Sequence, residues 1–202
     1  MSDIIDTYLT INGESKGEYS EKRSKFLAFA FHVENVEQIK ELVSKHEKEY
    51  YDARHVCYAY MLGYNHDVFR SVDNGEPSGT AGKPILGQIV KYNVTNILII
   101  VVRYFGGIKL GTSGLTNAYK QATIDVLENS NIEERTVDSI IEVGFEYPLM
   151  NEVMKVIKNF NLSIVEQDFQ MQCRLLLRIR LGEVSNLSSR LSKIRGVTVK
   201  EK

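Results

Sequence analysis

A mixed α+β fold, with an N-terminal α/β domain followed by a small ferredoxin-like βαββαβ domain, follows from three features of the 202-residue sequence. The apolar run Ile97 to Val102 lacks the alternation of a strand with one wet face, so it reads as a central strand covered on both sides. Two segments of helical spacing flank that run, and each is entered through a glycine-rich loop. Past residue 137 the rhythm changes to short alternating strands and two amphipathic helices in the order βαββαβ. The domains are accordingly placed at 1–135 and 136–202.

The elements follow in order. Thr7 to Ile11 and the aromatic, apolar Ser24 to Val33 read as strands. Asn35 with Gln38 three residues on resembles a capping box, and Val36, Ile39, Val43 and Tyr50 recur at helical spacing behind it. His55 to Leu62 and Val68 to Val72 are strands separated by the turn-like GYNHD. Pro84 is expected at the first position of a short helix that ends near Asn93 and buries Ile85 and Ile89 together with Leu86 and Val90. A third helix, marked by Leu115, Ala118, Tyr119, Ala122 and Val126, runs to about Asn129 and is expected to be capped by Thr112 or Ser113. In the second domain, Ser139 to Tyr147, Leu162 to Phe169, Cys173 to Leu181 and Val197 to Val199 are extended. Leu149 to Phe160 and Val184 to Ile194 are helical.

Composition narrows the function. With 43% apolar residues and no apolar run near the roughly 20 residues of a membrane span, a folded protein without membrane contact is expected. The start, MSDIIDTYLTING, has no basic segment or long apolar stretch, so no secretory signal is expected and a cytoplasmic location follows. Cys57 and Cys173 form neither a CxxC motif nor a disulfide framework. A net charge of −1 argues against coating nucleic acid through bulk charge, so any such contact is local. Between Arg70 and Lys109 the balance is five basic residues to two acidic ones, which makes that region cationic.

The region holds the two informative loops, DNGEPSGTAGKP from Asp73 to Pro84 and RYFGGIKLGTSG from Arg103 to Gly114. Loops dense in glycine let a ligand approach the main chain, and a helix start offers unpaired N–H groups and a partial positive charge. A shared anion-binding surface is expected. Its candidate residues are Arg54, His55, Asp73, Asn74, Gly75, Glu76, Ser78, Gly79, Thr80, Gly82, Lys83, Arg103, Tyr104, Gly106, Gly107, Lys109 and Gly111. The alternative is that the glycines only make tight turns. Arg103 ends an apolar strand and must find either a carboxylate, Asp73 or Glu76, or a bound anion.

Other chemistries fit less well. Pro84 after Gly82-Lys83 breaks the P-loop pattern, and Gly106 to Gly111 does not fit a dinucleotide-binding fingerprint. His55 and Cys57 share a strand face, but no histidine cluster or HExxH accompanies them, so neither a catalytic residue nor a metal or other cofactor is assigned. Arg174, Arg178 and Arg180 share one face of a strand. They read either as a nucleic-acid-binding sheet or, better, as ion-pair partners of Glu142 and Glu146 on the adjoining strand.

Taken together, KRSKF (Lys22 to Phe26), ARHVCYAY (Ala53 to Tyr60), DNGEPSGTAGKPIL (Asp73 to Leu86), IIVVRYFGGIKLG (Ile99 to Gly111) and GLTNAY (Gly114 to Tyr119) resemble the IMPACT/YigZ family. Asn74 departs from the aspartate expected beside Asp73. The resemblance implies an N-terminal fold like that of a small-subunit ribosomal protein and domain IV of elongation factor G, and a C-terminal domain similar to another elongation factor domain. It further implies a translation-associated binding protein whose partner is RNA, the ribosome or a translation-related protein, with no settled enzymatic activity. The alternative kept open is an enzyme acting on a phosphorylated small molecule or nucleotide.

Overall fold

The structure is a computed structural model and describes residues 6–202. It divides into a compact unit spanning Tyr8–Arg135 and another made of Thr136–Lys202 with residues 6–7. In chain order the first contains β1 (Thr7–Ile11), β2 (Glu14–Glu21), β3 (Ser24–His32), α1 (Val36–Glu49), β4 (His55–Leu62), β5 (Val68–Val72), α2 (Gly82–Lys91), β6 (Ile97–Tyr104), α3 (Gly111–Glu128) and β7 (Ile132–Thr136). Five strands make one antiparallel sheet in the order β2-β3-β6-β4-β5, while β1 pairs with β7.

Strand β6 occupies the middle of that sheet because both of its faces are apolar. Ile97, Ile99 and Val101 pack with Phe26, Ala28, Cys57 and Ala59 against α2 and α3. Leu98, Ile100 and Val102 pack with Phe29, Phe31 and Tyr60 against Ile39 and Val43 of α1. Each fully buried side chain of this size contributes about 1.5–3 kcal/mol, so the central strand is the strongest anchor in the unit. At α1 the expected cap is present: the Gln38 amide donates to Asn35 Oδ1 at 2.9 Å, and Gln38 Oε1 accepts from the Glu34 amide at 2.8 Å.

Four expectations need correction. Strand β2, ESKGEYSE, was missed because its apolar content is too low to alternate visibly; it is an edge strand whose residues are alternately exposed and half-buried. Helix α2 begins at Gly82, so Pro84 is its third residue, still within the turn where amides have no intrahelical partner. Val90 lies on the exposed side of α2. Helix α3 begins at Gly111 with Leu110 at the N-cap and no side-chain cap at all, so neither Thr112 nor Ser113 plays that part.

The second unit contains β8 (Asp138–Glu146), α4 (Met150–Asn159), β9 (Ser163–Phe169), β10 (Gln172–Arg180), α5 (Val184–Leu191) and β11 (Thr198–Glu201). Its antiparallel sheet has the order β11-β8-β10-β9, and Ile141, Val143, Phe145, Leu175, Leu177 and Ile179 form a core with Val153, Ile157, Leu187 and Leu191. On the wet face Arg174 pairs with Glu142 at 2.9 Å and Glu166 at 3.2 Å, while Arg180 pairs with Asp6 at 2.5 Å. Glu142 therefore meets an arginine as expected, whereas Glu146 takes part in no ion pair among the described residues. No described helix is long and apolar enough to cross a membrane.

Gly17 on β2 lets α3 approach: a Cβ there would stand 2.5 Å from the Val126 amide nitrogen. The Glu18 amide donates to Asp125 Oδ2 at 2.8 Å beside it. Gly17→Ala should lower stability by about 1–3 kcal/mol, read as a reduced urea midpoint with an unchanged slope.

Candidate functional site

The first glycine-rich loop is shaped by its own side chains. Asn74, Gly75 and Gly79 adopt φ of 39°, 86° and 77°, the left-handed region that suits asparagine and glycine. Asn74 Nδ2 donates to the Val56 carbonyl at 3.0 Å, a bond an aspartate at this position could not make. The Asp73 carboxylate accepts from the amides of Gly79 (2.7 Å), Ala81 (3.0 Å) and Gly82 (2.8 Å). Burial works to raise the pKa of Asp73, but those amides and the nearby Lys83 charge outweigh it and hold the carboxyl below the usual carboxylate range. The anion at the start of α2 is thus supplied by the protein itself, which corrects the reading of both helix starts as open phosphate cradles.

The pairing over β3, β6 and β4 sets Phe26, Arg103 and His55 side by side at one end of the sheet. Arg103 Nη1 donates to Glu76 Oε1 at 2.6 Å, with both side chains buried. Tyr119 Oη from α3 donates to the same oxygen at 2.9 Å. The Arg103 guanidinium lies 5.6 Å from the ring centres of both Phe26 and Phe105, and its buried Nε–H has no acceptor among the described residues. His55 Nδ1 sits 2.9 Å from the Asn74 carbonyl oxygen, so this nitrogen carries the proton and donates. The other ring nitrogen, Nε2, lies 3.9 Å from Glu76 Oε1.

Cys57 is a structural thiol. Its sulfur donates to the Asp73 carbonyl at 2.8 Å and lies 3.4 Å from Tyr119 Oη. Burial, helped by the carboxylates of Glu76 and Asp73, pushes the thiol up to about 12 against the opposing effects of Tyr119 and Arg103. At neutral pH the nucleophilic thiolate is absent. Burial also drives the Tyr119 phenol far above its ordinary value, which leaves it a permanent donor to Glu76. Among the described residues no group of three or more His, Cys, Asp and Glu could hold a metal ion.

The second loop enters α3 differently. The Gly106 amide donates to Ser24 Oγ at 3.2 Å, and the glycine lies so close to the Arg23 backbone that a Cβ would overlap it. The first turn of α3 has no side-chain cap and no acidic residue. It borders a cavity of about 410 Å³ lined by Arg54, His55, Glu76, Pro77, Arg103, Phe105, Lys109, Leu110, Gly111, Thr112 and Leu115. Neither Arg54 nor Lys109 has an ion-pair partner among the described residues.

The cavity thus brings together Arg54, His55, Glu76, Arg103, Lys109 and Gly111 from the expected set. Asp73, Asn74, Gly75, Gly79 and Gly82 build the first loop, and Thr80 Oγ1 donates to the Pro77 carbonyl at 2.7 Å within it. Ser78 and Lys83 are exposed outside the lining, with Lys83 lying over Gly79. Tyr104 Oη donates to Asp52 at 3.0 Å, and Gly106 and Gly107 only shape the second loop. The residues missed were Pro77, Phe105, Leu110, Thr112, Leu115 and Tyr119. Leu115 and Tyr119 were visible only as core positions of a helix, and Phe105 was hidden by the glycines around it.

The family described as the Impact N-terminal domain matches residues 22–127, the stretch that holds both glycine-rich turns and Arg103. Over 174 residues the chain is 32% identical to an IMPACT family member of Haemophilus influenzae, covering 85% of this chain and 84% of that relative. It is 32% identical over 173 residues to the IMPACT family member YigZ of Escherichia coli, covering 85% of each. A crystal structure described as that of a hypothetical protein covers 97% of each chain, with a TM-score of 0.76 at 28% identity. The chain belongs to the IMPACT family.

Two outcomes test the site's construction. Glu76→Gln should destabilise the chain by about 3–5 kcal/mol in chemical denaturation, since it leaves the Arg103 charge buried without its counter-ion. Because the folded-state pKa of Asp73 is depressed, its stabilisation is full above roughly pH 4 and lost as pH falls through the lower folded value. Asp73→Asn should flatten the acid limb of a stability-versus-pH curve while lowering its plateau.

Proposed function

We propose that this IMPACT family member is a cytoplasmic, translation-associated binding protein that engages RNA or the ribosome through the cavity between its two glycine-rich loops. The observation that carries the reading is the convergence on one cavity of an uncapped helix start with Arg54 and Lys109, two cations that have no carboxylate partner among the described residues. A helix N-terminus and charge-assisted donors together suit a phosphate oxygen. The near-neutral chain makes such contact local, consistent with docking on one phosphorylated feature. The translational setting comes from the family resemblance.

The finer fold assignment belongs to the same proposal. The strand order of the second unit, with its two helices on one face, supports a ferredoxin-like domain at 136–202. The antiparallel sheet of the first supports a domain at 1–135 related to the ribosomal-protein and elongation factor G domain IV fold. One observation favours the alternative of an enzyme acting on a phosphorylated small molecule: His55 lines the cavity with Nδ1 held by a carbonyl and Nε2 3.9 Å from Glu76 Oε1. Turnover of a phosphate ester that disappears in His55→Asn would favour that reading.

Lys109→Ala and Arg54→Ala should each weaken retention of RNA or ribosomes and lower the slope of log affinity against log salt by about 0.7. Lys83→Ala should leave both unchanged, because Lys83 stands outside the lining. Filter binding across a salt series distinguishes these outcomes; unchanged affinity in both cavity variants would remove the cavity from the interface.

A further inference from the structure

We infer that the cavity is a single-nucleotide pocket, built for one terminal phosphate monoester and the base carried on the same nucleotide. The inference rests on the reading of the cavity as the anion-binding site. It goes further in fixing how many phosphates enter and what accompanies them.

The phosphate count follows from the two helix starts. At the start of α2 the amides of Gly79, Ala81 and Gly82 are consumed by Asp73, whereas the start of α3 has no side-chain cap. A second observation points to a ligand there: Arg103 is only 6% exposed, lines the cavity, and keeps a buried Nε–H without an acceptor among the described residues. Such groups are rarely left unsatisfied, and a small shift of the guanidinium toward the cavity gives this N–H a phosphate oxygen as acceptor. Arg54, Lys109 and the partial charge of the helix together match a monoester, which carries close to two negative charges at neutral pH. A backbone diester or a carboxylate carries one.

Part of the wall is apolar, formed by Pro77, Phe105, Leu110 and Leu115. Phe105 has the Arg103 guanidinium 5.6 Å from its ring centre yet is 48% exposed, which leaves ring surface on which a base can stack. At about 410 Å³ the space lies within the range of small-ligand sites and does not admit a duplex. The occupant is either a free nucleoside 5′-monophosphate or the 5′-phosphorylated terminal nucleotide of an RNA.

The sequence contains no tryptophan, so Phe105→Trp introduces a lone indole at the stacking position, excitable apart from the tyrosines. Uridine 5′-monophosphate should quench it saturably, while uridine and inorganic phosphate at the same concentration should not. Phe105→Ala should weaken uridine monophosphate by roughly tenfold or more. Calorimetry on the unmodified chain should rank the three probes in the same order, which keeps the test intact if either variant misfolds. Tighter binding of a 5′-phosphorylated oligoribonucleotide than of its 5′-hydroxyl twin identifies an RNA end as the source. Binding of the mononucleotide without that preference identifies the free nucleotide. Absence of binding by both the mononucleotide and the 5′-phosphorylated oligonucleotide overturns the pocket. If RNA retention still depends on Lys109 in that case, the broader reading survives; if it does not, both fall.

Discussion

The buried pair between Arg103 and Glu76 is the constraint on which the rest of the site depends. A guanidinium at the end of an apolar central strand cannot be left uncompensated, and a carboxylate in the same interior cannot either. The strand delivers Arg103 and the first glycine-rich loop delivers Glu76, so the loop is obliged to fold back over the sheet end. Tyr119 bonds the same carboxylate oxygen from α3 and thereby joins sheet, loop and helix at one atom. Phe26 and Phe105 beside the guanidinium complete the enclosure and leave one N–H of Arg103 without a partner among the described residues.

Around that pair the loops divide two tasks that look alike in composition. The first loop turns its carboxylate inward on its own amides, which stabilises a tight reversal and closes the start of α2. The second ends in leucine at the N-cap of α3, so the helix enters the cavity with its donors unclaimed. Closing one helix start and leaving the other open turns a pair of glycine-rich segments into one directional site. Cys57 and His55 serve the first loop: each bonds a carbonyl of that loop, Asp73 for the thiol and Asn74 for the imidazole. Their shared strand face, which in sequence suggested a nucleophilic pair, is explained by loop support, and the protonated thiol agrees with this.

The second unit shows the same economy on a wet face. Arg174 answers Glu142 and Glu166 across neighbouring strands, and Arg180 answers Asp6, so the cationic row is largely neutralised where it stands. Exposed pairs of this kind contribute only about 0.2–1 kcal/mol each, and the unit's stability rests on the apolar face beneath α4 and α5.

Periodicity and punctuation were enough to read most of the elements, because burial on one face or two is written directly into residue spacing. The central position of β6, the cap at Asn35 and the βαββαβ order were all legible in that way. The edge strand β2 was not, since its pairing partner rather than its own apolar content holds it in the sheet. The sequence by itself determined that two glycine-rich turns lie beside a strand-end arginine and that this arginine needs a counter-charge. Only the tertiary structure decided that Glu76 supplies it, that Asp73 closes one helix start, and that Phe105, Leu115 and Arg54 share the remaining space. The counter-charge depends on groups far apart in the chain, with Glu76 27 positions from Arg103 and 43 from Tyr119. Local spacing carries no information about such meetings.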